Sequence, residues 1–252
     1  MKERETKLLL IEAKHYRDTD DFPNALAHLH RIINEHPKND QYSYLLASTY
    51  FEAKELEAAK KYAERTLEIN ASSKEAWELK GMINQEEKQY TEAEKCYLQA
   101  LEIDSNFYKA RVKLLELYFS YLNDYPKTEE HCEYLLEHQD PDRMEKTKKE
   151  KTKITEQWFF QTIRTSKLAL IKQKKYKQAI ERVKEEIKFF KSFVKINHPS
   201  YFVADEFDIY KLYYLDKDEE NLIKYKEYLN EKYDMDEERY KFLESGADRG
   251  KF

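Results

Sequence analysis

Residues 74–107 read KEAWELKGMINQEEKQYTEAEKCYLQALEIDSNF. Apolar residues recur at helical spacing in both halves, and the polar stretch EEKQY at 86–90 separates them, which predicts two helices joined by a short turn. Gly81 falls inside the first helix of a chain that has only 3 Gly. A glycine in a helix interior costs about 1 kcal/mol relative to alanine. Close packing, a bend or a ligand at the backbone should offset that cost.

Steps of 34 residues favour packing. Ala13, Ala47 and Gly81 form one column, Tyr16, Tyr50, Asn84 and Tyr118 a second, and Ala25, Ala59 and Ala93 a third. Leu67 and Leu101 keep the interval, and Phe22, Leu56, Tyr90 and Tyr125 each open a second helix. A period of this length is the mark of stacked helical hairpins, none of which can bury its apolar face alone. Gly81 then belongs to a column of small residues. Gly81→Ala is expected to be mild, and Gly81→Leu to loosen the junction between the second and third hairpins.

Trp77, Gly81, Tyr90, Ala93, Tyr97, Ala100 and Leu101 carry most of the signature of the tetratricopeptide repeat, and the chain resembles that family over residues 6–141. The expected fold class is all-α, a right-handed superhelical solenoid of about six antiparallel hairpins with a C-terminal capping helix. Four repeats are expected at 6–39, 40–73, 74–107 and 108–141. In the fourth, Thr128 stands one residue late for an alanine, so one inserted residue is expected to lengthen its turn. Residues 142–252 fit the period less well and read as a divergent helical extension. It has hairpins at about 151–196 and 199–232, where Ser200 can cap after Pro199, and a last helix at 236–245 that ends at Gly246 before a frayed tail.

With 38% charged residues and 14% aromatics the chain is too aromatic for a disordered segment. A net charge of -5 gives no global attraction to nucleic acid or to an anionic membrane. Only Leu8–Ile11 is apolar near the N-terminus, short of a secretory core, and no stretch approaches the roughly 18 apolar residues of a membrane span. Two cysteines, Cys96 and Cys132, are too few for a disulfide framework, so a cytoplasmic location is expected.

No phosphate loop, nucleophile elbow or HExxH motif is present, so neither catalysis nor a cofactor is expected. His28 and His30 diverge on a helix and read as surface histidines. His131 and His138 share a face but supply only two ligands. Asp216, Asp218, Glu220 and Glu227 imitate a calcium loop, but Asn221 occupies the glycine position, and helix capping explains these acids better. Between residues 142 and 195 there are 17 Lys/Arg against 7 Asp/Glu, an excess of ten that leaves -15 on the rest of the chain. DRMEKTKKEKTK is its densest part, with Trp158, Phe159, Phe160, Phe189, Phe190 and Phe193 nearby. That segment, 143–195, could bind nucleic acid as a regulatory subunit would, but a solvated face of lysines over an aromatic core accounts for it better.

The resemblance implies a concave groove lined by the first helix of each hairpin, where a protein or peptide partner binds. Carried over by period, the lining residues are Leu10 and Lys14, then Tyr44, Leu45, Ser48 and Phe51, then Leu79 and Met82, and finally Lys109, Lys113 and Phe119. The family's clamp for a C-terminal carboxylate falls on Leu10, Lys14, Leu45, Glu75 and Leu79. Only Lys14 among them is cationic, so that clamp is not implied. What remains is an apolar strip bordered by charge, suited to a peptide or an amphipathic helix. The chain's own C-terminal helices could also fill it.

Overall fold

The computed structural model describes residues 3–138, 149–193, 203–233 and 235–252. The basic block at 142–148, Pro199 and Ser200 lie outside the described residues, as do the side chains of residues 149–160 and 189–193. The chain divides into two compact units, Met1–Leu117 and Tyr118–Phe252. The first contains helices α1 (Glu3–Asp18), α2 (Phe22–Glu35), α3 (Asp40–Glu52), α4 (Leu56–Ile69), α5 (Lys74–Glu86), α6 (Tyr90–Ile103) and α7 (Tyr108–Leu117). The second contains α8 (Tyr125–His138), α9 (Lys149–Lys172), α10 (Tyr176–Phe193), α11 (Val203–Asp216), α12 (Glu219–Tyr233) and α13 (Glu237–Asp248).

One turn design makes every hairpin. A single residue in the left-handed region reverses the chain, at Asp20, Lys54, Lys88, Asn123, Lys174 and Lys217, with φ between 54° and 64°. In the first three hairpins the amides of Asp21, Glu55 and Gln89 donate to the carbonyls of Tyr16, Tyr50 and Asn84 at 2.8–2.9 Å, and so satisfy helix-end carbonyls that would otherwise lack donors. Side chains cap the starts of the helices. Asn39 accepts from the amide of Tyr42 (3.0 Å), Ser73 from Ala76 (3.3 Å) and Asp218 from Asn221 (3.2 Å). Each such cap stabilises its helix by about 1 kcal/mol. Asp218 thus works as a cap.

The 34-residue period also recurs in the contacts. Thr6 meets His36 (3.3 Å), Asn70 donates to Asp40 (2.7 Å) and Lys74 donates to Asp104, so the open end of each hairpin is tied the same way. Inside the first unit, Leu9, Ala13, Leu26, Leu29, Ile32, Ile33 and Leu46 form one core, and Ala47, Ala59, Ala63, Leu79 and Ile83 the next. Gly81 is buried, but the atoms nearest to it belong to Tyr97 of its own hairpin partner α6. A Cβ there would lie 2.5 Å from one ring carbon and 2.7 Å from another. The expected mildness of Gly81→Ala is therefore corrected. The sister positions take alanine because Leu29 and Ala63 stand where Tyr97 does.

The residue inserted in the fourth repeat does not lengthen the turn. Tyr118–Leu122 form a π-helical segment, and the amide of Asp124 reaches back six residues to the carbonyl of Tyr118 (2.9 Å) instead of five. Widening the helix absorbs the extra residue and leaves the turn at Asn123 and Asp124 like the others. Thr128 is fully buried, its hydroxyl donating to the carbonyl of Asp124 (2.8 Å).

At the C-terminus the last helix continues through Gly246, and Gly250 takes positive φ (66°). The cause is packing: Tyr240, Leu243, Gly246 and Ala247 make one buried stripe, and the Tyr240 ring lies 4.9 Å from that of Tyr210 on α11. The final residues are not frayed. Phe252 packs against the core of Leu170, Ala179, Ile209 and Leu212, and Lys211 donates to the carbonyl of Lys251 (3.1 Å).

Candidate functional site

The first helices of the hairpins in the first unit, α1, α3, α5 and α7, carry all the expected lining residues except Phe119, and their burial differs. Leu79 is only 4% exposed and belongs to the core, so it offers no groove surface. Leu10 and Leu45 lean on the first core, and Tyr44 and Phe51 on the second, each half-buried. Met82 is half-buried, while Lys14 and Lys109 are exposed. The Ser48 hydroxyl donates to the carbonyl of Leu45 (3.0 Å), and Lys113 is paired with Glu116 (3.1 Å). Phe119 falls in the second unit, where its ring stands edge-on to Tyr125 at 6.0 Å.

Charged groups that the apolar reading passed over define the face. Arg17 of α1 makes a two-pronged bond to Glu52 of α3 (2.6 and 3.0 Å). Tyr44 lies among Glu78, Glu75, Arg17 and Glu52. Burial first, and then the two carboxylates of α5, push its phenol up to about 12. Glu78 is 8% exposed and has no hydrogen-bond donor among the described residues. Burial raises the pKa of its carboxyl, against the opposing pull of Lys109 and Lys113 on α7. Beside these residues a cleft of about 620 Å³ opens between Gln41, Tyr44, Ser73, Lys74 and Glu75. Glu78 stands 34 residues after Tyr44, so the repeat itself marks it as a lining position.

The second unit holds a different cluster, inside the fold. Lys167 is 5% exposed and faces Asp208 (3.1 Å), Glu186 (3.8 Å) and Asp205 (3.9 Å). Burial, followed by repulsion from Glu186, pushes the Asp205 carboxyl up to about 6. Ser166 donates to Glu129, which Arg182 also meets at 3.3 Å. These bonds tie α8, α9, α10 and α11 together. Lys167 and Arg182 therefore depart from the expected solvated face of basic residues, whereas Arg164 lies on it and bonds Glu186 from there (3.1 Å). The histidines of the first unit are likewise engaged: His30 bonds the Tyr50 hydroxyl (2.7 Å) and His28 meets Glu12 (3.1 Å). His131 is buried and stacks on Tyr118 at 5.5 Å. Among the described residues no group of three or more His, Cys, Asp or Glu could hold a metal, and no helix is long and apolar enough to cross a membrane.

The fold is similar to that in the crystal structure of MamA protein, with 18% identity over 77% of this chain and 96% of that one and a TM-score of 0.58. It is also similar to a chain in the structure of Naa15/Naa10 bound to HypK-THB, with 16% identity over 97% of this chain and 34% of that one and a TM-score of 0.63. At such identities the likeness is one of fold alone. No curated protein matches the chain. The family model described as the Tetratricopeptide repeat protein 21 C-terminal ARM domain matches residues 2–159, more than half of the chain. With its 34-residue hairpins and their shared turn, the chain belongs to that family of tetratricopeptide-like helical repeats.

Proposed function

We propose that the chain is a non-catalytic scaffold or adaptor that binds a protein segment, either an extended peptide or an amphipathic helix, along the face formed by α1, α3, α5 and α7. The observation that carries this reading is the half-buried apolar and aromatic surface of Leu45, Tyr44, Phe51 and Met82, which has the Arg17–Glu52 pair beside it. Half-buried aromatic surface at Tyr44 and Phe51 supplies apolar anchoring at about 25 cal/mol per Å² covered. The buried free thiols of Cys96 and Cys132 fit a reducing compartment such as the cytoplasm. Residues 6–141 are read as the repeat-bearing part and 142–252 as its extension.

The test is capture of partners from the native source by wild-type chain and by the Tyr44→Ala, Phe51→Ala double variant. Leu79 is left intact because changing it would damage the core. Loss of the captured set with native circular dichroism is expected. An unchanged set would place the interface elsewhere. The alternative, nucleic-acid binding through residues 143–195, draws no support from Lys167 and Arg182, which acids hold inside the fold, and its densest basic block lies outside the described residues.

A further inference from the structure

The 34-residue period gives certain positions of each first helix to the hairpin before it. Tyr42 and Leu45 of α3 pack on the core around Leu9, Leu29 and Ile32, and Leu79 of α5 packs on Ala47, Ala59 and Ala63. Ala76 and Ala110, in the column of Tyr42, are fully buried, and so are Thr49, Ile83 and Leu117 in the column four residues after Leu45 and Leu79. One repeat earlier these columns fall on Leu8, Ile11 and His15 of α1, and all three are exposed, Leu8 by 55% and Ile11 by 66%. The seam that a neighbouring helix covers in the later hairpins is therefore open on α1. Stacked repeats need polar end faces for solubility, and two aliphatic side chains one turn apart do not make one.

The second unit carries a surface to match. Phe242 of α13 is 72% exposed, and with Phe207, Met235 and Leu243 it lines an apolar cleft of about 630 Å³. Arg239, the cation that lines it, is held by Asp236 (3.9 Å), so Glu238 leaves the rim acidic. One turn before its exposed apolar residue each helix shows a charge that is unpaired among the described residues, Arg4 before Leu8 and Glu238 before Phe242, and the two are opposite in sign. We propose that the occupant of the α1 seam is a second copy of this chain, the copies associating head to tail with α1 of one lying along α13 of the other, parallel to it. In that register Arg4 meets Glu238 of the second copy, Leu8 and Ile11 cover its Phe242, and Asp18 falls toward its Arg249. The apolar side chains supply affinity, and the charges fix register and orientation. The contact joins two different patches, so each copy can engage one neighbour through α1 and another through its cleft. Tyr44 and Phe51 take no part in it.

The test is sedimentation velocity of the full chain from about 1 to 100 µM, beside the Leu8→Ser, Ile11→Ser variant, the Phe242→Ser variant and an equimolar mixture of the two variants. Wild type should gain mass with concentration, to two chains or more. Each variant alone should associate at least about tenfold more weakly, the effect of leaving a large apolar side chain uncovered. The mixture should form a dimer with one copy of each, because the Phe242→Ser copy keeps its α1 seam and the Leu8→Ser, Ile11→Ser copy keeps its cleft. All three side chains are exposed, so the melting temperature of dilute protein should not change. Wild type that stays monomeric throughout would overturn the proposal. Association that the α1 changes abolish and Phe242→Ser leaves intact would do so too, since it marks a symmetric α1 contact. Variants that both lose association and fail to complement each other in the mixture would also overturn it.

Discussion

Gly81→Ala offers the sharpest view of how a hairpin in this chain is packed. In an open helix the change would stabilise by about 1 kcal/mol. Here the new methyl would lie 2.5, 2.7 and 3.0 Å from three carbons of the Tyr97 ring. The ring cannot swing away freely, because Tyr97 is fully buried and its hydroxyl donates to Gln85 (3.0 Å). Overpacking of this kind costs about 1–3 kcal/mol, and breaking the hydroxyl bond about 1 kcal/mol more. After the gain in helix propensity, a net loss of about 1–3 kcal/mol is expected. Urea denaturation of the full chain measures it, reading the transition of the first unit. The double variant Gly81→Ala, Tyr97→Leu recreates the Ala13 and Leu29 pair of the first hairpin. It should show a favourable coupling of at least about 1 kcal/mol over the sum of the single changes. A Gly81→Ala chain more stable than wild type, with no coupling to position 97, would refute the reasoning.

Two further predictions concern stability. The Asp205 carboxyl is raised to about 6 in the fold from its ordinary 3.8, so between pH 4 and 6 the folded state holds a proton that the unfolded state has released. Stability of the second unit should be greatest below pH 4 on this account and fall as pH rises through 6, by up to about 3 kcal/mol, and Asp205→Asn should flatten that dependence in chemical denaturation. Lys88 sits at φ 61°, where a side chain is strained, so Lys88→Gly should stabilise by about 0.5–1 kcal/mol in thermal melts, whereas Lys88→Val should destabilise.

The repeat was readable from the sequence because small residues at 13, 47 and 81 and at 25, 59 and 93 are imposed by helix contacts that recur every 34 residues. The partner of Gly81 was not readable, since which side chain on α6 covers it depends on the crossing of two helices. The insertion near Tyr118 shows as a one-residue slip. Whether it widens the helix or the turn is decided by the cost of disturbing the left-handed turn, which the sequence does not display. The turn residues are Asp, Lys and Asn with no glycine signal, so their backbone state stayed hidden. Gly246 and Gly250 look alike as helix ends, and only the buried stripe through Ala247 chooses between them. Lys167 sits among lysines that look solvated, and its acids at 205 and 208 lie some forty residues away along the chain. On the inner face, the period that located Tyr44 also located Glu78, which a search for apolar residues passed over.

A protein partner is expected to sit on the face of the first unit formed by α1, α3, α5 and α7. Hydrogen–deuterium exchange of the full chain, with and without a captured partner, tests it most directly. Protection is predicted in α3 and α5, around Tyr44 and Glu75 to Glu78, with smaller changes in α1 and α7. Protection confined to the second unit, for example around the apolar cleft of about 630 Å³ at Phe207, Met235 and the 72% exposed Phe242, would contradict it.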